Sequence, residues 1–160
     1  MYQVEFAIVH EGCVVNELSR TFPKLRIICP GGFVTGPSSV EELVVLDKPS
    51  DKDIEKVMGF FEKLSGIDRV ELLERTADKA FIYFRSQRLP ETFCSKVVER
   101  NRGFRIGMEI QEDGLEKWKV GCVTQSDAEQ LLKDLQFLGE LKHTSIAQAS
   151  WQALLDGKGP

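Results

Sequence analysis

The chain has only two histidines, His10 and His143, and none of its four cysteines falls in a Cys-x-x-Cys pair. Too few histidines in no family catalytic pattern leave no basis for a nucleophile–histidine–acid triad. Scattered cysteines (Cys13, Cys29, Cys94 and Cys122) suit buried small hydrophobes better than a disulfide framework. A basic excess is also missing: 21 Lys and Arg face 25 Asp and Glu, a net charge of −4. That balance argues against a surface made for nucleic acid. No apolar run reaches the roughly 18 residues a membrane span needs, and no signal peptide opens the chain. These absences lead us to expect a cytoplasmic, non-enzymatic protein with no membrane partner and no cofactor beyond a metal ion.

What is present is repetition. "VEFAIVHEG" from Val4, "LVVLDKPSD" from Leu43, "FIYFRSQRL" from Phe81 and "WKVGCVTQS" from Trp118 start 39, 38 and 37 residues apart. Each opens as a short run of β-branched, aromatic and other apolar residues, then a polar turn, then a helical pattern. In "SDKDIEKVMGFFEKLSG", Ser50 is placed as an N-cap, and Ile54, Val57, Met58, Phe61 and Leu64 recur at helical steps before Gly66. In "SDAEQLLKDLQFLG", Ser126 and Glu129 have capping-box spacing, and Leu131, Leu132, Leu135 and Leu138 make the buried stripe. Pro90 suits a first helical turn ahead of Phe93, Cys94, Val97 and Val98. A shorter helix is expected between Gly12 and Pro23.

A further strand follows each helix: "LRIICP", "IDRVELLER", "FRIGMEI" and "LKHTSIAQA". The order is β-α-β four times over. Two such units joined by a hairpin make the ferredoxin-like β-α-β-β-α-β motif. The expected class is therefore α+β: tandem ferredoxin-like units with antiparallel sheets and helices on one face. One unit is expected over residues 1–76 and the second over 77–150, with 151–160 as linker. The uncovered sheet faces would be hidden by packing on each other, by merging into one sheet, or by a homodimer. "PGGFVTGPSS" reads as an extended hairpin or a loop.

The stretch "GLEKWKVGCVTQSDAEQLLKDLQFLGELKHTSIAQAS" resembles the regulatory region of archaeal bacterio-opsin-activator-like transcription regulators. In those proteins a strand with an aromatic, a Ser-led helix and a last strand precede a C-terminal helix-turn-helix. The start is similar too, with a His-bearing strand, a nearby Cys, a short helix and a second strand. The resemblance implies a cytoplasmic sensory or dimerisation domain that reaches DNA only through an attached helix-turn-helix. Nine residues follow Trp151, too few for such a reading unit of roughly 20 residues. Contact with bases is therefore not expected from these 160 residues. The second reading is a free-standing small-molecule-binding module of the same tandem fold.

"HEGC" carries the sharpest local signal. His10 and Cys13 could share a metal, with Cys29 as a third ligand arriving at the same sheet edge. In a regular split β-α-β unit, one strand would lie between theirs. Cys13 could instead be a reactive thiol at a helix start, or the segment could be a structural turn. Phe81, Tyr83 and Trp118 read either as packing or as the wall of a ligand pocket between the units. Gly31 and Gly32 lack the Lys-Ser/Thr of a P-loop and read as loop. The carboxylates of "QEDGLEK" read as solvated turn, and Glu5, Glu71 and Glu109 as an exposed sheet face.

Overall fold

The computed structural model of the chain describes residues 1–156, so the Gly-Lys-Gly-Pro end of the expected linker, 157–160, lies outside the described residues. The elements run β1 (Tyr2–His10), α1 (Val14–Thr21), β2 (Arg26–Gly36), β3 (Ser39–Asp47), α2 (Asp51–Lys63), β4 (Ile67–Arg75) and β5 (Lys79–Gln87). There follow a 3-10 turn (Pro90–Thr92), α3 (Cys94–Arg100), β6 (Gly103–Arg105), β7 (Glu109–Glu112), β8 (Leu115–Cys122), α4 (Gln125–Leu135), β9 (Gly139–Gln148) and α5 (Ala153–Asp156).

Local chemistry explains most of the boundaries. Ser50 accepts from the Asp53 amide while the Asp53 carboxylate accepts from the Ser50 amide, so a reciprocal capping box starts α2. The cap of α4 lies two residues earlier than expected: Thr124, not Ser126, accepts from the Asp127 amide. Pro90 opens a 3-10 turn, and α3 begins only at Cys94. Asp113 and Gly114 both have positive φ, 55° and 73°, as a tight hairpin turn between β7 and β8 requires. The "PGGFVTG" segment is strand, and it completes an extended β2–β3 hairpin.

The α+β class and the helix-covered antiparallel sheet are as expected, and the two units share one sheet. Its nine strands run β4-β5-β3-β2-β7-β8-β1-β9, with β6 beside β8. A regular ferredoxin-like unit places its first strand between its third and fourth. Here β5, the first strand of the second unit, fills that position between β3 and β4. β1 fills the equivalent place between β8 and β9. The units have exchanged their opening strands, and the boundary near residue 76 does not separate two bodies. Antiparallel pairing is kept throughout.

The exchange leaves two cores under the helices. One gathers Leu18 of α1, Val57 and Phe61 of α2, and Ile27, Leu46, Ile82 and Phe84 from the sheet. The other gathers Val97 and Val98 of α3, Leu131 and Leu135 of α4, and Val4, Ile8 and Val120. α1 is tied across the exchange by buried Asn16. Its side chain donates to Gln111 Oε1 and the Gly114 carbonyl, each at 3.0 Å, and accepts from the His10 amide at 3.1 Å.

One seam in the sheet is open. β2 pairs with β7 through Cys29 and no further. Pro30 has no N–H to continue the ladder, and a register shift follows. On the other side, Gly107 at φ 73° breaks β6 from β7. Between the diverging strands lies a cavity of about 520 Å³.

Candidate functional site

The cavity lies where the two exchanged connections meet. One leads from the end of β1 through Glu11–Cys13 into α1. The other leads from β5 through Arg88–Phe93 into α3. His10, Cys13, Cys29, Glu42, Arg88, Cys94, Arg105, Glu109, Glu116 and Trp118 are among its lining residues.

Its innermost group is His10, Cys94 and Glu116, only 1%, 2% and 2% exposed. One ligand-capable atom from each lies within 4.8 Å of the others. His10 Nε2 is 2.8 Å from the Thr92 carbonyl oxygen, which can only accept, so Nε2 carries a proton. Nδ1 therefore faces Glu116 Oε2 at 2.8 Å and Cys94 Sγ at 3.7 Å. The other Glu116 oxygen accepts from the Trp118 indole N–H at 2.7 Å. Burial alone would raise the Glu116 carboxyl, but the hydrogen bond and charge of His10 offset this and bring it below the ordinary value. Arg88 Nη2 is 3.4 Å from His10 Nε2, and its guanidinium lies over the Phe93 ring at 4.3 Å.

Two more carboxylates border this group. Burial raises Glu109 well above its usual range, and the nearby charge of Glu116 adds to the effect. Burial raises Glu42 as well, against the pull of Arg88. Glu42 Oε2 is buried without a hydrogen-bond partner. Arg105 Nη2 donates to the Pro30 carbonyl across the seam at 2.8 Å, and its guanidinium lies 5.5 Å from the centre of the Trp118 ring.

His10, Cys13 and Cys29 all reach this cavity, but they do not form the expected three-ligand group. His10 clusters instead with Cys94 and Glu116. The strand exchange is the reason: two strands, β8 and β7, lie between β1 and β2, a displacement of roughly 14 Å rather than 10. Cys13 caps α1 through its backbone, yet its side chain is buried. Burial, then the Glu116 charge, pushes its thiol far up, which is the opposite of a reactive thiolate. His143 is exposed on β9, across from Ala7.

Of the three expected pocket aromatics, Trp118 lines the cavity, stacked on Phe6 at 6.2 Å and 5°. Phe81 and Tyr83 do not. They lie on the sheet face opposite the α2 core, and the Tyr83 hydroxyl donates to Glu41. Sequence reading passed over Glu116 as a turn carboxylate and Glu109 as an exposed one. Strand alternation was the available signal: Glu116, Trp118, Val120 and Cys122 share the inward face of β8.

Fold and site together define a strand-exchanged tandem ferredoxin-like domain with a half-open cavity at the crossing of its halves and a buried ionisable group at its inner end. The chain belongs to the family described as HVO_2525_N, N-terminal, whose model matches residues 3–140. A search of curated proteins found no match. Among the described residues, no helix is long and apolar enough to cross a membrane.

Proposed function

We propose that this chain is the sensory domain of an archaeal, bacterio-opsin-activator-like transcription regulator. In this reading it is cytoplasmic, homodimeric and without catalytic activity, and its effector is a small polar molecule held in the cavity. DNA is reached through a helix-turn-helix C-terminal to residue 160.

One observation carries the reading. Phe104, which lines the cavity, stacks on Trp151 at 5.9 Å, and Trp151 stands just before α5, where the chain leaves the sheet. An occupant that moves β6 therefore repositions the segment leading to the next domain. A ligand preferring one arrangement would shift the population of that segment. The cavity is formed by both halves, so its occupant also holds them together. A homodimer would set the spacing of two DNA-reading units, and the helix-free sheet face bearing Phe81 and Tyr83 is the surface offered for it.

The test is a DNA mobility-shift assay with the full-length protein and with residues 1–160, using DNA upstream of the gene. The full-length protein should bind and residues 1–160 should not. W151A should leave DNA affinity intact but abolish its modulation by cell-extract small molecules. DNA binding by residues 1–160 alone, or no DNA-reading helix pair encoded after Pro160, would overturn the proposal.

A further inference from the structure

We propose that His10, Cys94 and Glu116 form a mononuclear site for a soft divalent cation of the zinc class, with one coordination position left to the cavity.

The donor set is one imidazole nitrogen, one thiolate and one carboxylate oxygen, a combination zinc accepts and that calcium or magnesium, which want six or more oxygens, do not. The imidazole is already oriented. The Thr92 carbonyl holds a proton on Nε2, so Nδ1 is the nitrogen turned to the thiol and the carboxylate, and loss of the proton shared with Glu116 frees its lone pair for a cation. Metal-bound histidines are oriented in this way by a backbone carbonyl on the other nitrogen. Trp118 fixes the carboxylate through its second oxygen.

The nitrogen–sulfur distance fits a tetrahedral ion. Bonds of about 2.05 Å to nitrogen and 2.3 Å to sulfur put N and S roughly 3.6 Å apart. Nδ1 and Sγ are 3.7 Å apart. The same geometry puts N and O about 3.3 Å apart, against 2.8 Å between Nδ1 and Oε2. That pair is short because a proton joins it, and a cation replacing the proton would open it by about half an ångström. Charge also balances: a thiolate and a carboxylate neutralise a divalent ion, so the buried site needs no further counter-ion. The bond-forming step is plain: Cys94 and the His10–Glu116 pair each lose a proton to solvent, and the three freed lone pairs bind the cation. No redox change is involved.

The buried, unpartnered Glu42 Oε2 on the same cavity is a second sign, an acceptor suited to a positively charged or donating occupant. On the sensory reading, a ligand atom of the effector would take the fourth position. The cation site itself does not depend on that reading, because metal binding is measured without DNA.

The probe is cobalt(II), added to the chelator-stripped chain and then displaced by zinc. One equivalent should bind and give a thiolate-to-cobalt charge-transfer band in the near ultraviolet. C94S should abolish the band and weaken zinc binding by at least about 100-fold, beyond the effect of losing an outer-sphere partner. E116Q, whose amide preserves both neighbouring hydrogen bonds and hence the fold, should weaken it to a similar degree and decides the matter if C94S does not fold. The double variant C13A/C29A should keep the band and the affinity. Wild-type zinc binding no tighter than about 10 μM, a band that survives C94S, or a band lost in folded C13A/C29A would each overturn the assignment.

Discussion

Replacing Glu116 with alanine tests the buried pair most directly. The carboxylate has two partners, and both are buried with it: His10 at 2.8 Å and the Trp118 indole N–H at 2.7 Å. Removing it leaves the imidazole Nδ1 and an indole donor without their partner. Breaking a buried pair from one side costs about 3–5 kcal/mol, and an orphaned neutral donor about 1–3 kcal/mol by itself. The expected loss for E116A is therefore about 3–5 kcal/mol, or roughly 6–20 °C in Tm for a domain of this size. E116Q can still accept from Trp118 and donate to Nδ1 of a neutral imidazole, so its cost should stay near 1 kcal/mol. H10A/E116A should cost about 1–3 kcal/mol less than the sum of its single substitutions. Urea unfolding at pH 7 with chelator present measures the wild type and the four variants E116A, E116Q, H10A and H10A/E116A. Equal costs for E116A and E116Q, additivity in the double variant, or an E116A loss below about 1 kcal/mol would refute the reasoning.

All four cysteines are buried, and burial raises the thiols of Cys13, Cys29 and Cys94. Alkylation at pH 8 followed by intact mass should run more than about 1000-fold slower on the folded chain than in denaturant, and rapid single labelling at Cys13 would contradict this. Acid should destabilise the protein through its exposed pairs. The hydrogen bond from Arg102 lowers Asp127, that from Lys79 lowers Asp47 and that from Asn101 lowers Asp134. A depressed carboxylate contributes stability above its unfolded value, near 3.8, and loses it as pH falls through the lower folded value. D127N should flatten part of that acid limb in pH-dependent melting. Residues 1–76 expressed alone should show no cooperative unfolding, because β3 and β4 lack the strand that joins them. Mixing with residues 77–156 should restore a cooperative transition, whereas independent folding of the first fragment would disprove the exchange.

Much of the element order is legible in the sequence because strands such as β5 and β8 alternate and α2 and α4 each carry a cap and an apolar stripe. Ser50 with Asp53, and Asp113 with Gly114, specify their structures locally. The partner of an opening strand is not specified in this way. "YQVEFAIVH" and "KAFIYFRSQ" both alternate and both offer apolar inward faces, so either can complete either unit. The choice is made by contacts distant in sequence, such as Asn16 on Gln111 and Phe6 on Trp118. The site was hidden for the same reason. His10 was visible as a rare residue, but Cys94 fitted the apolar face of α3 and Glu116 sat beside a turn. Only the exchange brings β1, α3 and β8 to one point.

The exchange also bears on how the domain comes into being during synthesis. β1 leaves the ribosome well before its neighbours β8 and β9: Tyr2 pairs with Cys122 on one side and Gln148 on the other. Nothing made in between completes its pairing. Pairings this distant slow folding and leave strand edges exposed while they wait. The cavity, assembled from both ends of the chain, therefore cannot exist until translation has passed β8, so only an essentially complete domain can acquire a ligand there.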